Sequence, residues 1–395
     1  MRILTFLHSF EPGGVERVAL RLVRAWRDRG VEAPLAMGRE DGALRDELAG
    51  DLPYSFPRRI PVVSVWMETA RMIVWLPREI RRVRPDVLFC AGSTYTIVAV
   101  AMKLLLGRSC PPIVAKISND VARMDLPIVA RSLWRQWARI QGRFIDRWIV
   151  MEPSLLPDVM AAIRPAAASV TVVPDPAISS AQWARLGEAP RRAVGIAPTI
   201  SRGRAFVAIG RLVGQKDYPA MLRGFAEGAH STHTLTIFGE GPARGALERS
   251  IRRLDLAAQV TLAGHVADAA ARLPQFDALL LSSAYEGVPA VVVEALAARL
   301  PVIATDCGPG VRALLDEGRL GTIVERGDDE AFGAAIHTLR DDPSLDEARR
   351  TQAARFTLDA SADRYLEVLR AAGLTARVTT IQQPRPCSTR PVNQR

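Results

Sequence analysis

Residues 277–306 read DALLLSSAYEGVPAVVVEALAARLPVIATD, a stretch that passes from strand to turn to helix to strand. DALLLSS holds a continuous apolar run, which suits a strand buried on both faces of a sheet. After the turn, AVVVEALAARL keeps apolar residues at helical spacing, although its three consecutive valines disfavour an isolated helix. PVIATD is again a short apolar strand. The stretch therefore predicts a buried helix that connects two parallel strands, the repeating unit of an α/β fold.

The same alternation continues on both sides of this stretch and divides the chain into two domains. RILTFL, a glycine loop and the helical pattern RVALRLVRAWRDRG open the chain, and further strand and helix patterns follow. Residues 187–204 are rich in Gly, Ala, Pro and Arg without sustained periodicity, which is typical of a linker. We predict two Rossmann-like, doubly wound parallel-sheet domains at 1–186 and 205–360. We also predict a helix at 361–372 that packs back on the first domain, and a disordered tail at 373–395.

Composition narrows the class of protein further. The chain has 395 residues, of which 48% are hydrophobic and 24% charged, as in an ordinary globular protein. The net charge of +10 attracts anions, but no nucleic-acid motif stands in the right context, so we predict no nucleic-acid partner. No apolar run reaches the ~20 residues of a membrane span, and the apolar start is shorter than a signal-peptide core of about 7–15 residues. We expect a cytoplasmic protein.

Two cations follow the first predicted strand of the second domain. In AIGRLVGQKD, Gly210 allows the backbone to turn, and Arg211 and Lys216 lie on the same loop. Loops at the carboxyl ends of parallel strands are where such folds bind ligands, and two cations suit a diphosphate. The alternative is that either side chain is an ordinary, solvated surface residue that binds no ligand.

The next two loops carry glycines and a histidine. In TIFGEGPARGALE, Gly239, Gly241 and Gly245 mimic a dinucleotide-binding pattern. The following strand ends without the acidic residue that holds the ribose about 20 positions on, so we predict no NAD. In LAGHVAD, Gly264 and His265 could lie against a nucleotide base, although a lone histidine is equally an ordinary loop residue.

The opening stretch supplies two carboxylates. Glu286 and Gly287 form the turn after the strand, and Pro289 suits the first turn of the helix because its missing N–H costs nothing there. The helix N-terminus beside Glu286 presents backbone N–H groups to an anion. Glu294, about two turns on, would point toward the same cleft and accept hydrogen bonds from sugar hydroxyls. The alternative to a shared site is that Glu286 is only a charged loop residue and Glu294 only a solvent-facing residue of the helix.

In these loops the chain resembles retaining glycosyltransferase family 4, a family of GT-B enzymes. The motifs that carry the resemblance, in the family's order and spacing, are GRLVGQKD, FGEGP, LAGHV, SSAYEGVPAVVVEALAARLPVIATDCGPGVRALLD and GTIVERGD. EPGGVERVALRLV resembles the family's N-terminal loop and helix. The resemblance implies that the two domains face a central cleft, with a nucleotide-sugar donor in the second domain and the acceptor in the first.

The resemblance also implies roles for single residues. Glu286 and Glu294 match the family's Glu-x7-Glu pair, which implies contact of Glu286 with the donor sugar and of Glu294 with the ribose hydroxyls. Arg211 and Lys216 match the cations that neutralise the donor diphosphate. We predict Glu286, Arg211 and Lys216 as catalytic. The predicted donor-binding residues are Gly210, Gly239, Gly241, His265, Val266, Gly287, Val288, Pro289, Ala290 and Glu294.

The first domain departs from the family's pattern. Many members carry a histidine at the strand end that corresponds to AKISND, where Ser118, Asn119 and Asp120 stand in this chain. We therefore predict acceptor contacts at Gly13, Gly14, Asn119 and Asp120. No Asp-x-Asp occurs, so the usual metal handle is missing, and we predict a metal-independent enzyme without a cofactor.

Tryptophan and arginine distribution bears on the acceptor. All seven tryptophans fall in the first half of the chain, in segments such as WMETARMIVWLPREIRRVR and RSLWRQWARIQGRFIDRW. These segments suit a membrane surface or a lipid-linked acceptor, although a core helix with a solvated basic face is an equal alternative.

The predicted function is retaining sugar transfer from a nucleotide diphosphate sugar, UDP in preference to GDP. The predicted acceptor is a glycan or lipid-linked molecule of cell-surface polysaccharide or glycolipid biosynthesis. The alternatives are a non-catalytic GT-B protein that binds a nucleotide sugar, and a GT-B epimerase or phosphorylase.

Overall fold

Two separate parallel β-sheets form the framework of the protein. The computed structural model describes residues 1–57, 65–118, 121, 123, 126–190 and 203–381, without the side chains of 65 and 375–381. Within these ranges every strand pairing of both sheets is parallel. The α/β architecture predicted from the apolar strands is confirmed.

The N-terminal sheet has seven strands in the order β3-β2-β1-β4-β5-β6-β7. Its strands are β1 (Ile3–Leu7), β2 (Leu35–Met37), β3 (Tyr54–Ser55), β4 (Val87–Cys90), β5 (Ile113–Ile117), β6 (Arg147–Val150) and β7 (Val170–Val172). Its helices are α1 (Gly14–Asp28), α2 (Val65–Val83), α3 (Thr96–Leu106), α4 (Ile128–Phe144) and α5 (Leu156–Ala162). The strand order reverses between β1 and β4, which opens a crevice at the carboxyl ends of these strands.

The C-terminal sheet has six strands in the order β10-β9-β8-β11-β12-β13. Its strands are β8 (Ala205–Ile209), β9 (Thr234–Phe238), β10 (Val260–Gly264), β11 (Ala278–Leu281), β12 (Val302–Thr305) and β13 (Thr322–Val324). The helices of this half are α6 (Ser180–Glu188), α7 (Tyr218–Gly228), α8 (Arg244–Arg253), α9 (Ala290–Ala297), α10 (Pro309–Leu314), α11 (Asp329–His337) and α12 (Asp346–Ala354). The order reverses between β8 and β11, the two strands that carry the predicted cation and carboxylate loops.

The border between the domains differs from the sequence prediction. Helix α6 begins with a capping box between Ser179 and Gln182, and its apolar face packs on the C-terminal core through Leu186. Ala177 and Ile178 belong to the same core. The crossing therefore lies before α6 and not at residue 186, because the residues that bury the apolar face of α6 come from elements far along the chain. Of the predicted linker, residues 191–202 lie outside the described residues.

The C-terminal helix α13 runs from Leu358 to Ile381, longer than the predicted 361–372 and into the segment predicted as a disordered tail. Its buried residues Tyr365 and Leu369 belong to the core of the N-terminal domain. Gly373 does not end the helix, since its backbone does not adopt the left-handed conformation of a glycine cap. Residues 382–395 of the predicted tail lie outside the described residues.

A buried ion pair ties α13 to the segment that crosses between the domains. The Nζ atom of Lys116, at the end of β5, donates to both carboxylate oxygens of Asp175, at 2.9 and 2.8 Å. The hydroxyl of Tyr365 on α13 donates to the same carboxylate at 3.0 Å. The lysine side chain is only 1% exposed. Three distant parts of the chain are thus held at the point where the chain leaves the first domain.

Candidate functional site

The loops that follow β8, β9 and β11 lie side by side at the carboxyl edge of the C-terminal sheet. The amide of Gly210 donates to the backbone carbonyl of Phe238 at 3.0 Å, and the amide of Leu212 donates to the backbone carbonyl of Glu240 at 2.9 Å. The amide of Ala284 donates to the carbonyl of Gln215 at 2.8 Å. These backbone hydrogen bonds hold the three loops together at one edge of the sheet.

The glycines that mimic a dinucleotide motif allow two loops to approach each other. Gly239 has φ +152° and Gly241 φ +159°, in the region that favours glycine. A methyl group on Gly239 would overlap the carbonyl oxygen of Gly210, and one on Gly241 would lie 2.5 Å from the carbonyl oxygen of Leu212. Both glycines therefore have a structural reason to be present, which is to let their loop lie against the loop that carries Arg211.

Lys216 and Glu286 form an ion pair in this crevice. The Nζ atom of Lys216 lies 2.6 Å from Oε1 of Glu286, and their side chains are 18% and 10% exposed. The hydroxyl of Ser283 donates to the same oxygen at 2.8 Å. The hydroxyl of Ser282 donates to the backbone carbonyl of Lys216 at 2.8 Å, which fixes the turn that carries the lysine. Two of the three predicted catalytic residues, Lys216 and Glu286, are thus held together as a cation and a carboxylate.

The turn at Glu286 and Gly287 is wedged between the two domains. The Glu286 amide donates to the carbonyl of Cys307 at 2.9 Å, which anchors the turn on the loop after β12. A methyl group on Gly287 would lie 2.9 Å from the carbonyl oxygen of Ser118 and from the Met151 side chain, both in the N-terminal domain. Only glycine allows this approach, so the turn of Glu286 lies directly against the N-terminal domain.

Arg211 differs from Lys216 in its surroundings. Its side chain is exposed, and within the described part of the chain it forms no ion pair with a carboxylate. The predicted helix N-terminus faces the same crevice, with Pro289 at the cap of α9 and Ala290 as its first residue. Free cation and helix N-terminus together suit the negative charge of a diphosphate.

Glu294 lies on α9 and interacts electrostatically with the N-terminal domain. Burial raises the pKa of its carboxyl to about 7, and the positive charges of Arg21 and Arg17 on α1 oppose that rise. Burial lowers the pKa of Arg21 to about 10. The Arg21 guanidinium donates to the carbonyl of Ala177 and to Oε1 of Gln182, the latter at 2.6 Å. The charge of the second predicted carboxylate therefore interacts with the two arginines of α1 in the N-terminal domain.

His265 is engaged by the N-terminal domain. Its Nε2 atom lies 3.0 Å from Oε1 of Glu47, which belongs to the π-helical turn Arg45–Ala49. Arg17 lies 3.5 Å from the other oxygen of Glu47. Sequence reasoning placed this histidine against a nucleotide base and did not foresee the contact with Glu47, because that contact depends on how the two sheets face each other. Val266 packs at the edge of the C-terminal core.

The end of β1 carries a half-buried histidine that sequence reasoning did not single out. His8 follows β1, and its ring packs edge-on against Tyr95 with 4.7 Å between ring centroids. The Tyr95 hydroxyl donates to Glu16. Burial, reinforced by the charge of Arg39, lowers the pKa of His8 to about 4, so its imidazole is neutral at pH 7. Its Nε2 atom is buried without a hydrogen-bond partner among the described residues. Its position directly after the first strand is the signal that could have identified it.

The predicted acceptor residues divide into two groups. Gly13 is the N-cap of α1 and Gly14 its first residue, so both lie at a helix N-terminus that follows β1. Asn119 and Asp120 lie outside the described residues. Within the described residues no group of three or more His, Cys, Asp or Glu side chains is arranged to hold a metal ion. In the same part of the chain, no helix combines the length and the apolarity that crossing a membrane requires.

Comparison with known proteins agrees with the two-domain architecture. The family model described as Glycosyltransferase Family 4 matches residues 12–176, and that described as Glycosyl transferases group 1 matches residues 203–342. The lipopolysaccharide core biosynthesis glycosyltransferase LpsD of Rhizobium meliloti is 28% identical over 371 residues, which cover 92% of this chain and 96% of LpsD. LpsE of the same organism is 23% identical over 383 residues, which cover 93% and 98%.

Solved structures share the fold. Anabaena HepE in complex with UDP has a TM-score of 0.70 at 18% identity, covering 94% of this chain and 100% of that chain. WaaG, a glycosyltransferase involved in lipopolysaccharide biosynthesis, has a TM-score of 0.66 at 17% identity, covering 96% and 99%.

Proposed function

The chain belongs to glycosyltransferase family 4 and has the GT-B fold, and we propose that it transfers a sugar with retention of configuration from a UDP-sugar to a lipid-linked or glycan acceptor. The observation that carries the proposal is the pair of Lys216 and Glu286, held 2.6 Å apart in the cleft beside the exposed Arg211. A non-catalytic binding protein would not need a buried carboxylate at this position, and neither an epimerase nor a phosphorylase is favoured by the relatives.

In the proposed reaction the bond between the sugar's anomeric carbon and the diphosphate breaks, and the bonding electrons leave with the diphosphate. Arg211 and Lys216 neutralise the charge that develops there, together with backbone N–H groups at the start of α9. An acceptor hydroxyl forms the new bond on the same face of the sugar and gives its proton to the oxygen of the departing diphosphate. Glu286 holds the donor sugar and orients Lys216, and Glu294 accepts hydrogen bonds from the ribose.

Metal independence is part of the proposal. Two side-chain cations can stabilise a leaving diphosphate without a divalent ion, and one of them, Lys216, acts from a partly buried position. The test is release of UDP from a panel of UDP-glucose, UDP-galactose and UDP-N-acetylglucosamine, with GDP-mannose as comparison, each with excess chelator. Release from one UDP-sugar that survives chelation is expected. Release that stops on chelation, or that occurs with GDP-mannose alone, would contradict the proposal.

The pathway proposed for the acceptor is cell-surface polysaccharide or glycolipid assembly. Its support is the similarity over more than nine-tenths of the chain to two glycosyltransferases of lipopolysaccharide core biosynthesis. Its second support is an apolar surface on the N-terminal domain. On α4, Ile128, Val129 and Leu133 are 83%, 74% and 68% exposed, and Trp66 on α2 is 76% exposed.

We place this surface against an anionic bilayer. Helix α4 also carries the basic residues Arg131, Arg135, Arg139 and Arg143. Burying one such apolar side chain contributes about 1.5–3 kcal/mol, and each cation near an anionic surface about 1 kcal/mol. Both helices begin at the cleft side of the sheet, so a lipid-linked acceptor held in the bilayer would lie near the reaction centre.

Co-sedimentation with vesicles tests the membrane proposal. The wild-type chain is expected to bind vesicles of phosphatidylglycerol and phosphatidylethanolamine but not vesicles of phosphatidylcholine alone. The double variant Ile128→Ser and Leu133→Ser should lose binding. The matched control is Leu104→Ser with Leu105→Ser, two residues 64% and 57% exposed at the far end of α3. Equal loss in both variants, or binding independent of anionic lipid, would contradict this orientation.

A further inference from the structure

A cation stands between two aromatic rings of different domains. The guanidinium carbon of Arg123 lies 5.4 Å from the ring centroid of Trp134 and 4.8 Å from that of Tyr285. Both distances are within the ~6 Å over which an arginine is attracted to an aromatic face. Trp134 lies on α4 of the N-terminal domain, and Tyr285 lies on the loop after β11 of the C-terminal domain. We call these three side chains the interdomain clasp.

The clasp is fixed on the acceptor side by local bonds. The indole Nε1 of Trp134 donates to the carbonyl of Val121 at 3.0 Å, which holds the ring against the segment that carries Arg123. The carbonyl of Arg123 accepts from the amide of Leu126 at 3.1 Å. Arg123 adopts φ +49°, a left-handed conformation that a residue with a side chain rarely takes. Its placement between the two rings is therefore held by its surroundings.

On the donor side the clasp ends next to the catalytic carboxylate. Tyr285 precedes Glu286, and its carbonyl accepts from Nε2 of Gln215 at 3.0 Å. Gln215 in turn precedes Lys216, so the backbone of Tyr285 connects the two loops that carry the ion pair. A displacement of Tyr285 would therefore move both catalytic side chains relative to the N-terminal domain.

We propose that Arg123 is a positioning residue, which acts through Tyr285 to hold the loop of Glu286 in register with the acceptor domain. The inference rests on the proposed transferase function. Arg123 itself does not need to touch the donor. Its effect is expected in the turnover step, because Lys216 and Glu286 both lie on the C-terminal domain and would move together relative to the N-terminal domain.

Kinetics of UDP-sugar hydrolysis test the proposal, with the donor selected from the panel above. Arg123→Gln and Tyr285→Leu should each lower kcat by roughly 5- to 30-fold, the range expected for one lost cation–π contact. KM for the donor and Kd for UDP should stay within about twofold of wild type on the same reasoning. Arg123→Lys and Tyr285→Phe, which keep the charge and the ring face, should retain most of the activity. Arg249→Gln removes an exposed charge on α8 and is the matched control.

A double-mutant cycle decides the outcome. The double variant Arg123→Gln with Tyr285→Leu should be no slower than the worse single variant, because each change removes the contact between Arg123 and Tyr285 and it can be lost only once. Independent effects that multiply, or full activity of Arg123→Gln, would overturn the proposal. A wild-type chain that cleaves no nucleotide sugar would refute the proposed function instead. In that case the same cycle, measured as the free energy of unfolding in urea, tests the clasp, and additive effects there would overturn it.

Discussion

Replacing Lys216 with methionine tests the candidate site most directly, because the lysine both pairs with Glu286 and faces the predicted diphosphate. Methionine keeps most of the length and the apolar stem and removes the charge. The Glu286 carboxylate, 10% exposed, would be left with the hydroxyl of Ser283 as its partner. Breaking a buried ion pair by removing one member costs about 3–5 kcal/mol, and the partial exposure of Lys216 favours the lower end.

Ligand binding separates this structural cost from the functional one. UDP at about 100 times its Kd should stabilise the wild-type chain by about 2.7 kcal/mol. For a domain of this size that corresponds to a rise in Tm of roughly 5–10 °C. Lys216→Met should lose most of that rise, and its rate of donor cleavage should fall by about 10²–10³.

Thermal unfolding with and without UDP, in excess chelator, is the assay. The matched control is Lys103→Met, since Lys103 pairs with Asp146 at 2.6 Å, is also 18% exposed and lies away from the cleft. The control should unfold earlier without ligand yet keep the full response to UDP. A Lys216→Met variant that keeps both the UDP response and the wild-type rate would refute the assignment of this lysine.

Three further predictions concern other parts of the structure. The pKa of Glu294 is raised from 4.5 to about 7, so between these pH values the folded chain keeps a proton that the unfolded chain has lost. The free energy of unfolding should therefore fall by about 1–3 kcal/mol as pH rises from about 4.5 to 7. Glu294→Gln should remove that dependence in urea unfolding at pH 5 and 8, and an unchanged slope would contradict it. Gly239→Ala should lower the free energy of unfolding in urea by about 1–3 kcal/mol or more, because of backbone strain and overlap with a carbonyl oxygen. Gly245→Ala should raise it by up to about 1 kcal/mol, because the nearest neighbour of the added methyl group is 3.7 Å away. Equal effects of the two substitutions would refute this reasoning. Lys116→Met should cost about 3–5 kcal/mol by leaving the Asp175 carboxylate buried and unpaired, and adding Asp175→Leu should recover part of that loss, as urea midpoints would reveal.

Much of the fold was predictable from local sequence. The apolar runs of DALLLSS and PVIATD and the helical spacing between them identify a βαβ unit, because the burial of a parallel strand requires apolar side chains on both faces. The loops of Lys216 and Glu286 were predictable for a related reason. Polar residues that directly follow a buried strand lie at the carboxyl edge of the sheet, wherever the strand is placed within it.

Other features depended on which strands become neighbours. Lys216 and Glu286 are 70 residues apart, and their pairing follows from the adjacency of β8 and β11, which no local pattern contains. The predicted domain border at residue 186 and the predicted helix at 361–372 were wrong for the same reason. The domain to which α6 belongs and the length of α13 are each decided by the core that receives the apolar face of the helix.

The sequence alone thus determined the α/β class, the presence of two parallel-sheet domains and the loops that carry charge, because these depend on short-range periodicity and on glycine. Only the tertiary structure decided that Glu294 interacts electrostatically with Arg21, that His265 lies beside Glu47, and that Arg123 reaches Tyr285. Each of these contacts joins the two domains. Their energies depend on burial and distance between surfaces, and both arise only when the two sheets are brought face to face.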